Sequence, residues 1–243
     1  MASVDLKPSL DTRNRILDAA EVLFMENGFD ATSMRMITTR AECNLASVNY
    51  HFGSKEQLIQ EVFHRRLTWL NQERLRVLDE LEAATRGAPV KPRLILDAFF
   101  GVALKLASDT EHGGYTFMRL LSRTNTEPSQ FIRNFLAEEY AAVLDRFKAA
   151  LFRALPEVPQ QEIIWRLHFM FGAMSYAIAG TDALKLVADC DFDENDPAAA
   201  IAPRLMSFLL GGLRAPLPEI PPKPGMKKPA GQSRTRPPGT AAV

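Results

Sequence analysis

The apolar residues of this chain recur with a period of 3.6 almost everywhere and with a period of 2 almost nowhere. Ile16, Ala20, Leu23 and Phe24 fall on one face of a helix, and the same spacing returns in segment after segment. A chain patterned this way is predicted to be all-α. Its 243 residues, 47% of them hydrophobic, suffice for a sizeable core.

Punctuation residues divide the pattern into helices. A first helix is predicted from about residue 11 or 12 to Asn27-Gly28, where Gly28 supplies a left-handed stop. Thr32 is assigned as the cap of a short helix over 33–41, and Asn44 starts another over 45–50. Ser54 with Gln57 forms a capping box that opens a long helix to about residue 85, broken by Gly87-Ala88-Pro89. Further helices are predicted over 91–108, 115–122, 129–155, 159–188 and 197–213. From residue 215 onward prolines crowd the chain and apolar content collapses, which predicts a disordered, Pro-rich basic tail. The division expected is a flexible start over 1–10, a small head over 11–60, a larger helical bundle over 61–214 and the tail over 215–243.

Composition excludes several classes. Formal charge is zero, so the whole molecule does not attract polyanions indiscriminately, although a local basic face is still allowed. Cys43 and Cys190 have neither disulfide-framework nor metal-ligand spacing and read as reduced thiols. Residues 1–10 have no apolar run of the signal-peptide kind. The longest apolar stretch, 163–179, carries Arg166 and His168 and reads as a buried helix, not a membrane span. A cytoplasmic protein with no membrane association is expected. His51, His64, His112 and His168 lie on separate segments without catalytic or metal spacing, so no enzyme activity, no cofactor and no metal are expected.

The head carries the specific signal. Two short helices joined by a turn and braced by a longer one make a helix-turn-helix. Ile16, Ala20, Leu23, Phe24, Phe29, Ile37, Val48 and Phe52 can close its core, with Leu58, Ile59 and Val62 plugging the open side. The third helix is then left with Leu45, Ala46, Ser47 and Asn49 facing outward. Asn can read adenine, and apolar side chains can touch a thymine methyl. The run from Thr12 to Phe63 resembles the TetR family of transcriptional regulators: residues 15–20, Leu23-Phe24, 28–33, 41–52 and 54–58 match in order. The resemblance implies that Tyr50, His51 and Lys55 meet phosphates, that Thr32 and Ser33 hydrogen-bond a phosphate, and that Arg35 contacts a base or the backbone. Glu42 departs from the family pattern, where Gly is usual, as do Ala46 and Asn49. Residues 1–60 hold six Lys or Arg against eight Asp or Glu, so binding must depend on placement of those cations and on two heads acting together.

The bundle is rich in large apolar groups beside small ones, a mixture that packs a core and also leaves room for a cavity. Candidate ligand-binding residues are Phe99, Phe100, Ala103, Phe117, Leu120, Phe135, Phe169, Met170 and Met174, with Arg119, Arg123 and Arg166 as cations for an acidic head group. Each aromatic or Met at this spacing is also what plain packing requires. The apolar surface of the last two long helices (Phe169, Gly172, Ala173, Tyr176 and Ala177, then Ile201, Leu205, Phe208, Leu209 and Gly212) is too broad for one domain and predicts a homodimer. Residues 44–55, 58–60, 62–63, 117–123 and 165–167 are similar to the PsrA-type regulators of fatty-acid metabolism. That resemblance implies a repressor on palindromic double-stranded operator DNA, relieved by a long-chain fatty acid or acyl-CoA. The alternative is a TetR-type repressor of drug or aromatic-compound efflux, because Phe-rich pockets also suit flat aromatics.

Overall fold

The computed structural model describes residues 6–124, 129–179 and 197–219. Every regular element among these is helical. The part of the predicted 159–188 helix beyond Ala179, the connection over 189–196, Cys190, and the Pro-rich tail from residue 220 lie outside the described residues.

The head comprises α1 (Leu6–Asn27), α2 (Met34–Arg40) and α3 (Leu45–Phe52). Helix α1 begins ahead of the expected residue 11. Pro8 stands in its first turn, where a missing N–H breaks no helical hydrogen bond. Gly28, at φ 83°, ends the helix and donates its N–H to the Phe24 carbonyl at 2.9 Å. The cap of α2 is Ser33, whose Oγ accepts from the Met36 N–H, in place of the expected Thr32. Asn44 caps α3 through the Ser47 N–H at 2.8 Å.

Between α2 and α3 the chain makes a Schellman turn. The Cys43 N–H reaches the Thr38 carbonyl at 3.1 Å and the Glu42 N–H reaches that of Thr39 at 3.4 Å. Glu42 takes the left-handed position at φ 51°. The turn therefore keeps the geometry that Gly usually supplies, with a side chain on it.

Helix α4 (Lys55–Ala84) starts at the expected capping box of Ser54 and Gln57. Its first turns plug the head with Leu58, Ile59 and Val62, and its later turns enter the bundle with Leu67, Leu70 and Leu78. One continuous helix thus belongs to both cores. The segment predicted as one helix over 91–108 is α5 (Pro92–Leu96), a π-helical turn (Asp97–Gly101) and α6 (Val102–Ala107) in unbroken succession. Helix α7 (Gly114–Thr124) packs on α1, α6 and α9. A Cβ on Gly114 would collide with the Leu106 carbonyl, so that close approach needs glycine. Helices α8 (Gln130–Ala154), α9 (Gln160–Ala179) and α10 (Pro197–Leu213) complete the bundle.

Candidate nucleic-acid interface and sensor cavity

One side of α3 is locked in the head core and the other is open. Val48 and Phe52 are buried, while Leu45, Ala46, Asn49 and Tyr50 are exposed, Tyr50 at 83%. Ser33, Arg35, Met36 and Thr39 on the neighbouring helix extend the same kind of exposed surface. Ser47 is half-buried and donates its hydroxyl to Asn44 at 3.0 Å. His51 is half-buried with its ring edge against Tyr50.

Two of the expected phosphate contacts have other tasks. Thr32 is 1% exposed and donates its hydroxyl to the carbonyls of Gly28 and Leu23, pinning the turn after α1. The Lys55 ammonium donates to the carbonyls of Phe29 at 2.9 Å and Thr32 at 3.1 Å and lies over the Phe29 ring. It fastens the start of α4 to that same turn. Arg13, Arg15 and Arg40 pair with Glu61, Asp11 and Glu26. Among the described residues of the head, Arg35 is the cation held by neither an acid nor a carbonyl.

A polar cluster joins head to bundle. Glu21 of α1, 3% exposed, receives Arg65 of α4 and stands beside Arg66 at 3.7 Å. Arg65 also donates to Asp18 at 2.6 Å, and Arg66 to the His112 carbonyl in the loop before α7 at 2.6 Å. Burial alone would push the Arg65 guanidinium down, but Glu21 and Asp18 outweigh it and hold the group firmly charged.

Several half-open cavities indent the bundle. One of about 400 Å³ lies among α4, α7, α8 and α9, lined by Arg74, Met118, Leu136, Tyr140, Phe171 and Met174 among others. A cleft of about 770 Å³ adjoins it through the shared Ser122, Phe171 and Ser175 and is lined by Arg119, Arg123, Phe169 and Tyr176. A third space, of about 580 Å³, runs between the α5–α6 segment and α10. All three lie in the size range of small-molecule sites.

The expected ligand residues divide accordingly. Met174 lines the inner cavity, and Arg119, Arg123 and Phe169 line the cleft. Phe99 and Phe100 border only a crevice of about 10 Å³ and stack edge-to-face with each other and with Phe171. Ala103, Phe117, Leu120, Phe135 and Met170 are buried in the core and line none of these spaces. Phe117 and Phe135 pack instead on Phe63 of α4. Arg166 is 6% exposed and donates to Glu162 and to the carbonyls of Leu213 and Ala215, so it ties α9 to the end of α10. Arg123 donates to the carbonyls of Met25 and Glu26 at the end of α1.

Missing from the sequence-based set are Arg74 and Tyr140, the polar pair of the inner cavity. Arg74 is 2% exposed. Its Nε donates to the Phe99 carbonyl at 2.9 Å and one Nη to Asn71 at 3.3 Å, and its guanidinium lies 4.0 Å from the Phe99 ring centre. Burial lowers its pKa from the ordinary value, with Tyr140 opposing, and burial raises that of the Tyr140 phenol, with Arg74 opposing. A signal was present: Leu67, Leu70, Arg74 and Leu78 share the buried stripe of α4, so the period places a charge inside.

On the outer side of α9 and α10, Trp165, Phe169, Tyr176 and Phe208 are each more than half exposed. Gly172, Gly211 and Gly212 have open space where a Cβ would stand. No helix among the described residues is long and apolar enough to cross a membrane.

Two family models match the chain. Residues 16–62 fit the bacterial regulatory proteins of the tetR family, and residues 97–212 fit the tetracyclin repressor-like C-terminal domain. The chain is 45% identical over 51 residues to the HTH-type transcriptional regulator UidR of Escherichia coli strain K12, covering 21% of this chain and 26% of UidR. It is 25% identical over 134 residues to the HTH-type transcriptional repressor KstR of Rhodococcus jostii, covering 49% of this chain and 63% of KstR. The chain thus spans about a quarter of the length of UidR. Among solved structures, the fatty acid degradation regulator FadR from Bacillus halodurans superposes with a TM-score of 0.53 at 18% identity, covering 84% of this chain and 96% of that one.

Proposed function

We propose that this chain, which belongs to the TetR family of bacterial regulators, works as a homodimeric transcriptional repressor released from a palindromic operator by an apolar small molecule. The observation that carries the proposal is the two-sided third helix. Val48 and Phe52 hold it rigidly while Leu45, Ala46, Asn49 and Tyr50 stand free to enter a major groove. Arg35 and Ser33 flank it as partners for phosphate or base.

One head with so few free cations binds weakly, so a second head is needed. The exposed aromatic face of α9 and α10 pairs two copies and sets the heads roughly 34–36 Å apart, one turn of DNA. A ligand in the bundle is then felt by the heads through the contacts that join them, among them Arg123 of α7 on the end of α1. Helix α4 runs through both cores, and the Glu21–Arg65–Arg66 cluster ties α1 to α4 and to the loop before α7. Release requires that the ligand bind the DNA-incompetent arrangement more tightly than the competent one.

The ligand class best suited to Phe, Met and Leu walls is a fatty acyl chain, in keeping with the PsrA-like segments of the sequence and with FadR among its fold neighbours. An electrophoretic shift on the promoter of its own gene tests the proposal. The expected result is a dimer-sized complex that acyl ligands dissolve. A complex dissolved by aromatic cations and not by acyl ligands would favour an efflux repressor, and no complex at all would end the regulator proposal.

A further inference from the structure

We propose that Arg74 and Tyr140 form an anion-binding anchor at the inner end of the 400 Å³ cavity, so that the ligand enters with a free acidic head group first and leaves its apolar body among Met118, Leu136, Phe171 and Met174. The site rests on the chemistry of the lining. Two arginines and no acid face this cavity. Arg133 is exposed and stands at the outer side, whereas Arg74 is 2% exposed. Among the described residues no carboxylate comes within ion-pairing distance of Arg74. Its partners are a carbonyl, an amide oxygen, a phenol and two aromatic rings.

A buried guanidinium with only neutral partners is an uncompensated charge, and such a group is stabilised most by an incoming anion. Two of its five donors are engaged by Phe99 and Asn71. Tyr140 can accept from the guanidinium and still donate its own proton to a carboxylate oxygen. The competing hydroxyls are occupied, since Ser122 and Thr124 donate to the carbonyls of Met118 and Leu121. An acyl thioester offers Arg74 no countercharge at the carbonyl end, so the chemistry selects a free amphipathic acid.

The anchor also touches the element that has to move. The Phe99 carbonyl bound by Arg74 lies within the π-helical turn, which runs directly into α6 and the loop whose His112 carbonyl holds Arg66. An acid that draws Arg74 into the cavity loosens that hold. This consequence rests on the regulator proposal, whereas the anchor itself does not.

Titration calorimetry on the full chain with decanoate and with methyl decanoate separates the two. The wild type is expected to bind the acid at least tenfold more tightly than the ester. Arg74→Gln should bring the acid-to-ester ratio to about one. Tyr140→Phe, which keeps the ring in place, should lower that ratio about threefold or more. A purely structural role for Arg74 would weaken both probes alike and leave the ratio intact. A wild-type ratio near one, a ratio that survives Arg74→Gln, or no saturable binding of either probe overturns the anchor. Operator binding by the same preparations, measured without ligand, reports on the regulator proposal alone: its absence beside an intact ratio removes the regulator and keeps the site.

Discussion

The head and the bundle are made of the same kind of helix and packed to different ends. In the head, Ile16, Ala20, Phe24, Ile37 and Val48 are completely buried, and its turns are pinned by Thr32 and Lys55. In the bundle, cavities of hundreds of Å³ persist and a guanidinium is buried without a countercharge. A tightly filled core holds one geometry, because packed interiors do not deform continuously. A core with space and an unmatched charge has free energy to gain from a guest. The contrast fits the proposal that the head reads DNA while the bundle takes the ligand.

The contrast is broken most directly by truncating the same side chain in both halves. Leu58, fully buried where α4 plugs the head, should cost about 3–4 kcal/mol as Leu58→Ala, because transfer and cavity terms add. Leu136, half-buried on the wall of the inner cavity, should cost about 1–2 kcal/mol as Leu136→Ala, since space already lies beside it. Denaturant unfolding of the two variants measures the gap. Equal losses would mean that the bundle is as tightly filled as the head.

The reading surface can be separated from the fold that holds it. Asn49→Ala removes an exposed side chain of α3 and should weaken operator binding by about 10–100-fold, or ~1–3 kcal/mol, with the melting temperature unchanged. Arg35→Ala should weaken binding and also flatten its salt dependence if Arg35 meets a phosphate. Fluorescence anisotropy across a salt series distinguishes the two. An Asn49→Ala variant with full affinity and selectivity would show that α3 does not read bases.

The junction between the halves should matter more for communication than for stability. Glu21→Gln removes the buried carboxylate that collects Arg65 and Arg66, while Asp18 retains part of the Arg65 interaction. The expected loss of stability is about 1–2 kcal/mol. The larger sign is expected in the ligand response: operator binding without ligand survives, and the concentration of acyl ligand needed for release rises severalfold. An unchanged release curve would leave α4 and the packing of α7 on α1, with its Arg123 hydrogen bonds, as the links between head and bundle.

The helices were legible because period and caps agree: the Gly28 stop, the Asn44 cap and the Ser54–Gln57 box all act on backbone groups a few residues away. The π-helical turn was not, since Asp97–Gly101 carries the same apolar spacing as a regular helix, and its Phe99 carbonyl is held by Arg74 of a distant helix. The candidate site divides the same way. The outward residues of α3 follow from the face that Val48 and Phe52 bury. The tasks of Thr32, Lys55, Arg123 and Arg166 depend on carbonyls brought up by folding, and an exposed cation and one tied to a carbonyl look identical in a sequence. Arg74 was within reach, because a charge in register with Leu67, Leu70 and Leu78 marks a buried polar group.

The smallest effect concerns Glu42, the one non-glycine residue with a left-handed backbone among the described residues of the head. Glu42 holds φ 51° at the end of α2, where a Cβ crowds the backbone. The left-handed conformation costs a non-glycine residue roughly 1–2 kcal/mol, and glycine gives back about 0.4–1 kcal/mol through the greater freedom of its unfolded chain. Glu42→Gly should therefore stabilise the protein by about 0.5–1 kcal/mol, and it removes an acid three residues before the start of α3. Glu42→Ala, which deletes the same charge and keeps the Cβ, should not stabilise. If both variants raise the denaturation midpoint equally, the gain comes from charge and not from backbone strain. If neither does, the head tolerates that turn as readily as it would with glycine, and the contrast with the looser bundle holds without exception.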